Sequence, residues 1–121
     1  MRPDREQRRR RRERGSVTAE LAVGLPVVVL LLVAVLTLAA ASTAQMRALD
    51  AARAGARAVA IGEDDAVIAS TVARVGGEGA ELTVVRDGEW VEVTVSRPVA
   101  GGWLSRAPLR ATGVATAWAE P

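Results

Sequence analysis

The chain has 121 residues, room for one small domain and one special segment but not for two cores. It contains neither cysteine nor histidine, which excludes disulfide frameworks, thiol chemistry, Cys/His zinc sites and histidine-dependent triads. Its net charge of +2 conceals a split: residues 1–14 carry eight arginines against three acids, and the remaining residues eight arginines against eleven. The basicity therefore belongs to a tail and not to the body.

That tail, Met1–Arg14, has too little apolar content to pack and is expected to be disordered on its own. Arginine-rich tails also bind nucleic acid, but no stacking aromatics and no second basic patch accompany this one. Beside an apolar run it reads as a topology signal, held on the cytoplasmic side by the positive-inside bias.

From Leu21 to Met46 no residue is charged. At about 1.5 Å per residue these residues extend roughly 39 Å, beyond the roughly 30 Å of a bilayer's hydrocarbon core. The densest part, Leu25–Ala41, is apolar on every side, so it belongs in a membrane or a bundle of like helices. Pro26 inside it is either a functional kink or a tolerated membrane proline. Alanines and glycines along it (Ala19, Ala22, Gly24, Ala34, Ala39 to Ala41) permit close backbone approach between helices.

The helix is expected to continue to Ile61, with Met46, Leu49, Ala52, Ala56 and Val59 as its buried stripe and Arg47, Asp50, Arg53 and Arg57 solvated. Gly62 stops it, and Glu63-Asp64-Asp65 suits the start of another helix better than a calcium loop. That second helix spans about Asp64–Val75, buries Val67, Ile68, Thr71, Val72 and Val75, and ends at Gly76-Gly77.

A β-hairpin is predicted next: Glu81–Arg86 and Glu89–Arg97 flank Asp87-Gly88, a type I′ turn signal. Val91, Val93 and Val95 share one face of its second strand, Trp90, Glu92, Thr94 and Ser96 the other, and Pro98 ends it. A loop through Gly101-Gly102-Trp103 and Pro108 leads to a last strand, about Leu109–Trp118. The three tryptophans, Trp90, Trp103 and Trp118, are expected in the core or, failing that, as interface anchors. The fold class is thus α+β: a long N-terminal helix, then one short helix and about three antiparallel strands.

The most informative stretch is Arg9–Val23: a polybasic run, Gly15, four uncharged residues, Glu20, then the apolar segment. Glycine lets an extended backbone enter a protease cleft closely. Glu20 is the odd residue, because a carboxylate at the edge of a spanning helix needs a partner. If the chain is cut after Gly15, the new α-amino group of Ser16 lies one helical turn from Glu20, on this chain or a neighbour. Pairing with a neighbour's amine fixes the stagger of adjacent subunits.

Gly, four residues, Glu and a long apolar helix is similar to the prepilin (type III) signal. The continuation Ala19-Glu-Leu-Ala-Val-Gly-Leu-Pro26, with Ala51-Ala-Arg-Ala-Gly-Ala-Arg57, resembles TadE-like minor pilins, or pseudopilins, of the Flp (tight adherence) system. The resemblance implies a non-enzymatic structural subunit without cofactor, metal or small-molecule substrate. It implies that a prepilin peptidase cuts between Gly15 and Ser16, that Glu20 serves assembly and that other pilin-like subunits pack on the N-terminal helix. One departure is Leu21, where such signals usually carry Phe or Tyr.

The domains expected are a leader at 1–15, a membrane and pilin-like helix at 16–61 and an extracytoplasmic head at 62–121. The N-terminus would face the cytoplasm, no nucleic acid would be bound, and the chain would sit in the cytoplasmic membrane or a surface pilus. The rival is a secretory signal whose cleavage by signal peptidase I after Ala41 or Ala44 frees a small binding module. Its weakness is an apolar run longer than the usual h-region, with a glutamate at its start.

Overall fold

The structure, a computed structural model, describes residues 3–99 and 109–119. The expected loop through Gly101, Gly102, Trp103 and Pro108 lies outside the described residues. The chain divides into two compact units, Met1–Thr37 and Leu38–Pro121. In order, the elements are α1 (Pro3–Ala60), α2 (Asp65–Gly76), β1 (Glu81–Asp87), β2 (Trp90–Pro98) and β3 (Arg110–Trp118). The α+β class read from the sequence is the class observed.

The first unit is helical from Pro3 onward, which corrects the expectation of a disordered tail. Its residues are good helix formers, Asp4 and Glu6 oppose the dipole in the first turn, and Arg9 pairs with Glu13 at 3.6 Å one turn on. Joined to an apolar helix, this segment extends an existing helix and avoids the unfavourable nucleation step. Gly15 is therefore helical, not extended, and α1 remains helical on both sides of Pro26.

In the second unit a three-stranded antiparallel sheet, ordered β1-β2-β3, carries helices on one face. The core gathers Val91, Val93 and Val95 from β2, Ile68 and Val72 from α2, and Ala51, Ala52, Ala56, Ala58 and Val59 from α1. A smaller cluster joins Ala44 and Ala48 to Val99 and Ala111.

Three details differ from the pattern read in the sequence. Met46 is 66% exposed and Leu49 only half-buried, because the inward stripe of α1 is made of alanines. Val67 is exposed, leaving Ile68, Val72 and Gly76 as the buried side of α2. The hairpin turn is Gly88-Glu89, one residue later than expected, since Asp87 pairs with Trp90. Gly88 has φ +61° and no non-glycine residue among those described has positive φ, so the turn has the II′ pattern, glycine first, instead of I′.

The expected ends of α2 are found. The Asp64 carboxylate accepts the Val67 N–H at 2.9 Å, and Gly77, at φ +79°, donates its N–H to Ala73. Gly62 closes α1 with φ +79°, and Asp50 and Arg53 form an exposed pair at 3.6 Å. Trp90 and Trp118 are not core residues: they are 56% and 47% exposed on the outer sheet face. They stack edge to face, ring centroids 4.9 Å apart, which the direct pairing of the two residues across β2 and β3 makes possible.

Candidate assembly helix

α1 begins its apolar course at Val17, and thirteen Val and Leu side chains from Val17 to Leu38 are at least half exposed in the isolated chain. A helix in this stretch is long and apolar enough to cross a membrane. Covering one such side chain is worth about 1.5 kcal/mol or more, so the set is worth on the order of 20 kcal/mol. That exceeds the 5–15 kcal/mol or so by which whole domains are stable, so covering this segment with lipid or other helices would be strongly favourable.

Polar groups along the helix are disposed accordingly. The hydroxyls of Thr18, Thr37 and Thr43 donate to the carbonyls of Arg14, Val33 and Ala39 at 2.8, 2.7 and 3.0 Å. Each threonine thus consumes its donor within the helix and adds no unsatisfied group to an apolar environment.

Glu20 differs. It is exposed on α1 and has no ion-pair partner among the described residues. Gly15, also exposed, has no atom within 4 Å of the place a side chain would occupy. Ser16 follows it in the same helix. The spacing puts Glu20 about 6 Å along the axis from Ser16, one helical turn. Gly15, Ser16 and Glu20 are thereby neighbours on one accessible stretch of helix, with Pro26 less than two turns further on.

Among the described residues no three metal-ligating side chains converge. Sequence reasoning missed one functional candidate, the buried Arg97, whose inward position on β2 follows from alternation with Val91, Val93 and Val95.

Residues 15–57 match the family model described as TadE-like protein. The match covers Gly15, Glu20, the apolar run and the alanine-rich end of α1, the residues on which the resemblance was read. No curated protein and no solved structure matches the chain.

Proposed function

We propose that this chain, TadE-like over residues 15–57, is a non-enzymatic minor pilin or pseudopilin that takes part in assembling a Flp-type pilus or a related secretion apparatus. A prepilin peptidase removes residues 1–15, leaving Ser16 as the first residue. The arginines hold the N-terminus in the cytoplasm until then, the apolar run spans the cytoplasmic membrane, and residues 62–121 form the extracytoplasmic head.

The observation that carries this reading is a lone exposed carboxylate at the threshold of an exposed, wholly apolar helix. A carboxylate at a bilayer's centre costs about 2.5–3.5 kcal/mol, and less near the interface. Cleavage after Gly15 creates an ammonium one turn away. When a neighbouring subunit supplies that ammonium, each Glu20 meets the Ser16 amine of the next copy, and the pairing fixes the axial stagger while the apolar surfaces merge. Because Gly15 is helical in the chain as it stands, the peptidase must unwind the helix locally, which glycine eases. Pro26 supplies a kink that lets the upper helix adjust its packing angle.

Release of a secreted module by signal peptidase I fits less well. Ala44 and Ala48 are buried against Val99 and Ala111, so cleavage after Ala44 would strip Ala44 from that cluster and leave a charged amine beside it. Amino-terminal sequencing of the mature protein decides the matter: a first residue of Ser16 supports assembly, and Ser42 or Gln45 overturns it. In Glu20→Ala, processing continues while incorporation into the assembly is lost; normal incorporation would remove the role given to Glu20.

A further inference from the structure

Arg97 is the buried charged residue among those described, 6% exposed, on a strand whose other inward positions are valines. Its Nε and Nη1 have no hydrogen-bond acceptor, and no carboxylate among the described residues pairs with it. A guanidinium kept from water in this state is strongly unfavourable unless an anion joins it. The end of α2 gives partial relief: a Cβ on Gly77 would lie 3.8 Å from Nη1, so the charge sits near the negative end of that helix. Half a charge of helix dipole leaves Nε and Nη1 without an acceptor.

Arg97 also lines a concavity of about 290 Å³ with Ala40, Thr43, Ala44 and Arg47. Arg97 and Arg47 thus both line one hollow with a floor of small side chains. Planar guanidinium donors match the paired oxygens of a phosphate. The Thr43 hydroxyl is already engaged with Ala39, which leaves recognition to the arginines.

We infer that Arg97 and Arg47 bind the phosphodiester headgroup of an anionic phospholipid in the outer leaflet of the membrane. The inference rests on the membrane-spanning reading above. About 20 residues cross the hydrocarbon core, so a span entering at Leu21 leaves it at Ala40. The hollow, built on Ala40 to Arg47, then lies at headgroup depth, close in sequence to the exposed Leu38, which can meet an acyl chain. A soluble phosphate offers the same oxygens without that second contact.

The test uses the full chain in lipid nanodiscs of phosphatidylcholine alone or mixed with phosphatidylglycerol, with native mass spectrometry reading the lipid retained. The wild type is expected to retain phosphatidylglycerol in preference to phosphatidylcholine. Arg97→Met and the exposed Arg47→Gln each lower that retention about fivefold. Hydrogen exchange in β2 reports whether Arg97→Met still folds, and Arg47→Gln, at an exposed position, stands in where it does not. An inserted chain that retains no anionic lipid, or variants that retain as much as the wild type, overturns the site and leaves the membrane reading standing. Displacement of the lipid by millimolar inorganic phosphate assigns the site to free phosphate, and retention that vanishes as more copies share a disc assigns it to a neighbour's carboxylate; either overturns the lipid assignment. A chain that never enters the discs overturns the membrane reading and the site together.

Discussion

Replacing Gly113 with alanine tests how closely α1 lies on the sheet. Gly113 sits on the inner face of β3, opposite Val95. A Cβ built there would meet the backbone of α1: the Ala48 carbonyl group and, at 2.5 Å, the Leu49 nitrogen. Its φ is not in the left-handed region, so space alone decides the outcome. Ordinary van der Waals contact begins near 3.4 Å, so helix and strand must part by roughly 1 Å, and neither can yield by turning a side chain. Overpacking costs typically 1–3 kcal/mol, and a collision of backbone with side chain on both sides belongs at the upper end, about 3 kcal/mol. At about 4–8 °C per kcal/mol for a domain of this size, the midpoint should fall by roughly 12–24 °C. The assay is thermal unfolding of the full chain in detergent, followed by near-ultraviolet tryptophan dichroism. Two further variants grade the effect. Gly55→Ala presses on the ends of Val72 and Val93 at 2.9 and 3.1 Å and should cost about half as much, while Gly24→Ala meets nothing within 4 Å and should leave the midpoint unchanged. A Gly113→Ala midpoint within a degree or two of wild type would refute the close approach.

Asp64→Ala removes the cap on the Val67 N–H and should cost about 0.5–2 kcal/mol, with hydrogen exchange rising in the first turn of α2 before anywhere else. Ile68→Ala, at a fully buried position, should cost about 2–5 kcal/mol in denaturant unfolding. Trp90→Ala, despite removing a larger group, should cost less than Ile68→Ala, because its ring is mostly exposed and its stacking on Trp118 contributes about 0.5–1.5 kcal/mol. Changing Arg8 to Arg12 to glutamine should produce a mixed topology. The native chain has no cysteine, so a single Thr83→Cys, at an exposed strand position, reports the side by its reactivity toward an impermeant maleimide.

The elements were legible where chemistry is punctuated. Gly62, Asp64, Gly76-Gly77 and the valine alternation of β2 each mark a boundary or a face, and each is found in place. The turn was displaced because Asp-Gly announces a glycine but not which of the two loop positions it takes; here Gly88 comes first and Asp87 stays in the ladder. The tail was misjudged because low apolar content argues against packing but says nothing against a helix continued from an apolar neighbour. Trp90 and Trp118 stay out of the expected core for a related reason: size favours burial, but alternation puts Trp90 on the face opposite Val91. In the candidate site, Gly15 and Glu20 could be found by spacing, whereas Arg97 required knowing which face of β2 turns inward.

The inward stripe of α1 shows why size-weighted patterns fail in the second unit. Met46 and Leu49 are the largest apolar residues of that stretch, so the pattern centred on them, yet the helix turns Ala44, Ala48, Ala51, Ala52 and Gly55 inward. The partner explains it: β3 presents Ala111, Gly113, Ala115 and Ala117 on the same face, and a strand of small residues leaves no depth for a leucine. Small meets small, and helix backbone and strand backbone come into direct contact at Gly113. The same helix is Val- and Leu-rich before Ala39, where its side chains are exposed in the isolated chain, and alanine-rich after it, where the partner is a sheet. The change in side-chain size along α1 therefore records a change of surroundings along one helix. It falls at the last residues of the uncharged run, the level where the two arginines of the proposed headgroup site gather.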